Sequence, residues 1–353
     1  MGGDGAAQRW QSIRQVIRIR VGFVKSAARF NSLSVLALVG VAATVLAAFA
    51  QAEGFPQWAF PPANTPRAGS PAAAEVSRRV ELPGAGRSFS EDALHDRYAA
   101  PDWFPDRHPP APAVVLNGRR GVVAACGFCH LPDGSGRPEN ATLSGLPADY
   151  IRRQVAAFRA GTRRSAASDY VPTQLMAEVA ANATDAEIDA AAAYFAGIPA
   201  RAHVRVVEAD RISGSEAKAF LLRPVPGAGE PLGDRIVEGP EDFERFERRD
   251  PRLVYTAYVP RGALAWGESL VRTGGSGLTV PCGACHGDGL RGGAGAAGPP
   301  LAGRSPSYLF RQLYGFSVHR RGGEAATPMQ AVVARLTEKD MIALAAYAGS
   351  LTP

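Results

Sequence analysis

The sequence predicts a mainly α-helical protein. Two small helical domains stand in tandem, joined by a short β-like connector, after an N-terminal transmembrane or signal helix. Three observations carry this reading. A long uncharged apolar run lies near the N-terminus. One pattern of helices, with the same marker residues, occurs twice. The stretch between the copies is rich in β-branched and aromatic residues and lacks helical periodicity. At 353 residues the chain is long enough for about two domains, and 46% hydrophobic residues is a globular composition.

Residues 1–30 form a basic tail expected to stay cytoplasmic. They hold Arg9, Arg14, Arg18, Arg20, Lys25 and Arg29 against Asp4 alone. The formal net charge of +6 therefore belongs almost entirely to this tail, leaving 33 basic against 32 acidic residues in the rest. That distribution argues against a nucleic-acid partner. Residues 31–52 are uncharged, and "LSVLALVGVAATVLAAFA" is long enough to cross a bilayer as a helix. The nearby positive charge all lies on its N-terminal side, which places everything after it on the exported face. A cleaved signal peptide is the competing reading, because Ala48-Phe49-Ala50 resembles a small-x-small cleavage site. Residues 53–112 are read as a proline-rich tether and strap. Prolines from Pro56 to Pro83 predict an extended segment up to about residue 84. "APDWFPDRHPP" follows, and its Trp103 and Phe104 are expected to pack on the next domain.

The repeat is seen by sliding the chain on itself. "YIRRQVAAF" at Tyr150–Phe158 matches "YLFRQLYGF" at Tyr308–Phe316, with Tyr, Arg, Gln and Phe in register. Leu143 and Gly145 upstream match Leu301 and Gly303, and Met176 and Met329 recur downstream. Ile151, Val155 and Phe158 form one apolar helical stripe. Thr184-Asp185-Ala186-Glu187 is a capping box opening a helix that stops at Gly197-Ile198-Pro199, and Thr337 with Asp340 opens its counterpart less ideally. The two domains are set at 113–198 and 263–353. Between them, 199–262 contains "AHVRVVEA", "AKAFLLRPV" and "RLVYTAYV", which read as strands of a small β element.

All four cysteines lie in "CGFCH" at Cys126–His130 and "CGACH" at Cys282–His286. C-x-x-C-H is the attachment signature of a c-type haem. Two thiols three positions apart can face one side of a turn and add to the porphyrin's vinyl groups, and the following histidine is then held beneath the iron. A zinc site separates its cysteine pairs by about 15–20 residues, and these pairs lie much farther apart. A redox dithiol would sit beside a βαβ pattern, which neither copy has. Disulfides between such near neighbours would staple little.

The iron's sixth position calls for another ligand, and methionine in that place raises the potential. Met176 and Met329, at the same place in each repeat and near Pro172 and Pro328, are expected to fill it. Met341 falls inside the last helix and reads as core. His319 is a weaker candidate for the second iron, without a counterpart in the first repeat; His95 and His108 are expected at the surface. Arg153 and Arg311 either pair with haem propionates or lie on solvated helix faces.

On CGFCH with Met176, CGACH with Met329, the Y-x-x-R-Q helices and the closing "AAYF" and "AAYA" helices, the chain resembles the diheme class I cytochromes c, in particular the cytochrome c-four type. The resemblance covers 113–198 and 263–353. It implies two class I cytochrome c domains, each wrapping one covalently attached c-type haem iron between histidine and methionine. Cys126, Cys129, Cys282 and Cys285 would attach the haems, with His130 and Met176, and His286 and Met329, as axial ligands. In that family a proline carbonyl orients the proximal histidine. Pro299 matches it in the second repeat, and Ala141 stands there in the first.

The expected function is single-electron transfer between periplasmic or membrane redox partners of the respiratory chain. The carrier would be held at the bacterial inner membrane by its N-terminal helix, or be soluble in the periplasm if that helix is cleaved. No general base, nucleophile or open metal site asks for catalysis. A diheme cytochrome c peroxidase is the enzymatic alternative, and a cytochrome subunit of a membrane oxidase or dehydrogenase complex the structural one.

Overall fold

The computed structural model describes residues 55–63, 78–293 and 295–353. The expected membrane or signal segment lies outside these, as does the basic tail. None of the described helices is long and apolar enough to cross a membrane.

The first strap strands, β1 (Arg79–Glu81) and β2 (Ser88–Ser90), form an antiparallel pair that leads into α1 (Glu91–His95). The first helical domain then holds α2 (Ala113–Leu116), α3 (Cys126–His130), α4 (Ala148–Arg159), α5 (Val171–Asn182) and α6 (Asp185–Ala196). Helix α4 buries Ile151 and Val155, as its stripe predicts, with Ile151 packed in a core with Val115, Leu146, Ala192 and Phe195. Its exposed ion pairs, Arg152 with Asp149 and with Asp189, contribute at most about 1 kcal/mol each. Burying one large apolar side chain is worth about 1.5–3 kcal/mol, so packing holds this helix. Pro172 lies in the first turn of α5, where its missing N–H costs nothing. The Thr184–Glu187 box is complete at the start of α6.

The connector is a folded unit. Strands β3 (Val204–Ala209) and β9 (Tyr255–Pro260) pair in parallel, and β8 (Val237–Pro240) lies antiparallel on β9. Between them run β4 (Arg211–Ile212) paired with β7 (Glu230–Pro231), the hairpin of β5 (Ser215–Lys218) and β6 (Leu221–Pro224), and the short helix α7 (Phe243–Glu247). Ala219 and Phe220 turn that hairpin with both backbones left-handed, φ 51° and 64°, as a two-residue hairpin turn of the primed type requires.

The second helical domain comprises α8 (Ala263–Gly277), α9 (Gly283–His286), α10 (Pro306–Ser317), α11 (Thr327–Val333) and α12 (Glu338–Ser350). Its core is closed partly by other segments: Ala59, Ile236, Ala257 and Val259 are buried in it beside Phe310 and Ile342. The second capping box is also complete. The Asp340 carboxylate reaches back to the Thr337 amide at 2.8 Å and accepts the Trp266 indole N–H at 2.7 Å.

Three expectations need correction. The tether is not extended at 55–63: Trp58 lies 4.5 Å from the Phe310 ring, and Phe60 5.6 Å from Tyr170. Its prolines bracket a single turn of 3₁₀ helix and leave large aromatics free to dock. Residues 79–81, also assigned to the tether, are in β1. Trp103 and Phe104 are buried as expected, but in a cluster with Val80, Leu82 and Leu94. The Trp103 indole donates to the Arg248 carbonyl of the connector at 2.8 Å.

His108 is not a surface residue. Its side chain is 4% exposed, with Nε2 3.2 Å from Asp102 and Nδ1 2.8 Å from the Tyr194 hydroxyl. The Asp102 carboxylate holds the imidazole pKa above its ordinary value. A raised folded-state value stabilises the fold below the unfolded pKa, and that gain is lost as pH rises through the folded value. Thermal melts of His108→Gln should therefore fall below wild type most at about pH 5, with the gap closing towards pH 9. A gap independent of pH would mean that the charge plays no part.

Candidate functional site

In the first centre the pentapeptide is itself the helix α3, so Cys126, Cys129 and His130 project from a single turn. The backbone then reverses at Leu131, φ 62°. The His130 Nδ1 lies 2.8 Å from the Ala141 carbonyl oxygen. A carbonyl can only accept, so Nδ1 carries the proton and Nε2 keeps a free lone pair, the state a metal ligand needs. Burial holds the imidazole pKa low, which keeps it neutral.

Cys126, Cys129, His130 and Met176 all border one cavity of about 500 Å³, with Leu146, Ile151, Val155 and Phe195 among its apolar walls. Sites for cofactors commonly measure about 300–1,000 Å³. Burial pushes the Cys126 thiol pKa up to about 12. A thiol so far from ionising is a poor disulfide-exchange nucleophile, which counts against the dithiol reading.

The second centre repeats the chemistry more openly. The His286 Nδ1 lies 2.8 Å from the Pro299 carbonyl, and the imidazole is buried. Gly298 packs against the ring so closely that a Cβ there would lie 2.6 Å from its Cε1 and Nδ1. Cys282 and Met329 are half-buried against the C-terminal core, and Cys285 is exposed. The two methionines are not placed alike. Met176 sits in the second turn of the twelve-residue α5, and Met329 in the first turn of the seven-residue α11.

Between the repeats, Arg163 and Arg321 form an isolated antiparallel bridge. The Arg163 guanidinium donates to Gln154, Gln312 and Tyr308 at 2.7, 2.9 and 3.1 Å, and Arg321 donates to Gln154 at 2.8 Å. Both arginines border the cavity, and neither has a carboxylate partner among the described residues. Of the arginines expected to matter, Arg153 is exposed on α4 and does not border the cavity. Arg311 is buried, but it borders the cavity of the other repeat and donates to the Pro138 and Ala59 carbonyls. Arg163 and Arg321 went unnoticed in the sequence, although each lies equally far past its repeat's Tyr and Phe markers. His95 and His319 are exposed, His95 at the cavity border.

The cytochrome c family model matches this chain twice, over residues 115–198 and 275–352. Both matched stretches are cytochrome c domains. The tandem pair is homologous to the diheme cytochromes c4. Cytochrome c4 of Azotobacter vinelandii is 26% identical over 232 residues, 65% of this chain and 85% of its own length. The thiosulfate dehydrogenase electron acceptor of Stutzerimonas stutzeri is 25% identical over 232 residues, 65% of this chain and 80% of its own length. Among solved structures, the thiosulfate dehydrogenase TsdBA of Marichromatium purpuratum is 30% identical with a TM-score of 0.43 and covers 67% of this chain, which spans 38% of that one.

Two such domains imply two covalently attached c-type haems with iron. The first cytochrome c domain fits that group on its own evidence. Its cavity has Leu146, Ile151, Val155 and Phe195 among its lining, and both thiols and the imidazole of the C-x-x-C-H turn border it. The guanidinium groups of Arg163 and Arg321, lacking protein carboxylates, suit a ligand that brings its own.

Proposed function

We propose that this diheme cytochrome c is a single-electron carrier with histidine–methionine ligation at both irons, and that it works on the exported side of the bacterial inner membrane. The observation that carries the reading is the paired imidazole geometry. In each domain Nδ1 is committed to a backbone carbonyl, and Nε2 is left free. A bound c-type haem supplies reversible one-electron exchange. Cys126 and Cys129, and Cys282 and Cys285, would hold the two groups covalently, and Ala141 and Pro299 orient His130 and His286 for ligation. Met176 and Met329 would supply a thioether ligand each, and the apolar walls of the first cavity would keep water out. Its partners would be redox proteins of the respiratory chain. One relative is named as an electron acceptor of thiosulfate dehydrogenase, which favours a dehydrogenase as donor.

The test is a haem count with reduced and oxidised spectra of the purified protein. Two haems per chain are expected, both with methionine–iron absorption, lost at one site in Met176→Ala and at the other in Met329→Ala. Rapid carbon monoxide binding by the reduced wild type would instead indicate an open iron, and with it a peroxidase.

A further inference from the structure

We propose that Arg249, delivered by the connector, is a fixed positive charge that sets the first haem at a higher reduction potential than the second, making the first site the electron sink of the pair. This rests on the carrier reading above.

The connector touches the first haem cavity through Ala219 and Phe220 of the hairpin turn, and through Phe246, Glu247 and Arg249 at the end of α7. Its non-glycine residues with left-handed backbone are Ala219, Phe220 and Arg249, at φ 51°, 64° and 58°. All three border that cavity. Ala219 and Phe220 owe theirs to the hairpin turn, while Arg249 holds its own just past α7, where such a conformation persists only if the surroundings over-determine it.

Arg249 is aimed at the haem-bearing peptide itself. Its Nη1 donates to the Phe128 carbonyl, inside the C-x-x-C-H turn, at 2.6 Å. Its Nε donates to the Leu94 carbonyl at 3.1 Å, and its guanidinium lies 3.5 Å from the centre of the Phe128 ring. Asp250 next to it does not neutralise it: that buried carboxylate is taken by Arg245 at 2.7 Å and Arg252 at 2.9 Å. The neighbouring Arg137 has its own counter-charge in Glu139 at 2.9 Å. Among the described residues Arg249 has no carboxylate at ion-pair distance, so the cluster of Arg137, Glu139 and Arg249 keeps a net charge of one positive. Burial pulls the Arg249 pKa down to about 9, which leaves it protonated at neutral pH.

A cation held half-buried in the cavity wall disfavours the oxidised, more positive iron and favours the reduced one. At the second centre Ala284 stands where Phe128 stands in the first, and the turn is exposed at Ala284 and Cys285. Charges there are screened by water and salt. An electron taken up by the protein would then rest preferentially at the first site, a one-electron exchange that needs no proton or further reactant.

The test is a spectroelectrochemical titration of the two-haem protein. Arg249→Gln should move one of the two waves to lower potential by about tenfold in its reduction equilibrium, about 59 mV for a one-electron couple. The other wave should stay in place, and Arg249→Lys should keep most of the wild-type value. Glu139→Gln, which uncovers the Arg137 charge, should move the same wave upwards, and it decides the matter if Arg249→Gln does not fold. The proposal fails if neither wave moves, if both move together, or if Arg249→Lys shifts as far as Arg249→Gln. Absence of two reversible waves in the wild type would sink the carrier reading itself.

Discussion

Exchanging both Cys126 and Cys129 for serine should leave one covalent haem per chain and a first domain that does not fold stably. The cavity they border measures about 500 Å³. At about 24 cal/mol per Å³, leaving such a space unfilled costs on the order of 10 kcal/mol, comparable with the whole stability of a domain. The apolar core of the domain is small, centred on Val115, Ala192 and Phe195, and cannot offset that loss. A haem count by reduced pyridine spectrum, together with limited proteolysis, would read the result. Two haems retained, or a first domain still resistant to protease, would refute the assignment of these thiols.

Gly298→Ala should be nearly as damaging, and only to the second centre. The added methyl would sit 2.6 Å from the His286 ring. The glycine cannot retreat easily, because its amide donates to the Cys285 carbonyl at 2.8 Å and the next residue supplies the His286 acceptor. The imidazole would have to rotate away from the Pro299 carbonyl, losing its tautomer control. Half of the low-spin haem signal should disappear, with the first haem unaffected. The first repeat supplies the control. Asn140 holds the matching place there, and its side chain reaches the Cys129 carbonyl at 3.2 Å, so Asn140→Gly should cost only that bond, about 1 kcal/mol. An intact spectrum in Gly298→Ala would show that the ring has room to spare.

What could be read from the sequence was set by local chemistry. C-x-x-C-H needs both thiols and the imidazole on one turn, so its spacing alone names the cofactor. The Thr184 and Thr337 caps and the α4 stripe follow from contacts within a few residues. The repeat paired Met176 with Met329 by comparing the chain with itself, and the resemblance to the diheme cytochromes c pointed to Pro299 and Ala141. What escaped depends on distant partners. His108 looks like a loop histidine until Tyr194 and Asp102 close around it. Arg153 and Arg311 share a register but not an environment, because α10 faces the neighbouring domain and the Arg153 side of α4 faces solvent. Arg249 carries no local mark at all; its meaning comes from the turn of α3, far away in the chain.

The core of the second domain has a consequence for anyone wishing to cut the molecule in two. Ala59 comes from the N-terminal side of both domains, and Ile236, Ala257 and Val259 come from the connector, yet all four are buried among the helices of the second. A fragment starting at residue 263 would lack them and present a greasy dent to water. The C-terminal domain, although synthesised last, is completed by residues made well before it, so separating the domains would require carrying both outlying pieces along.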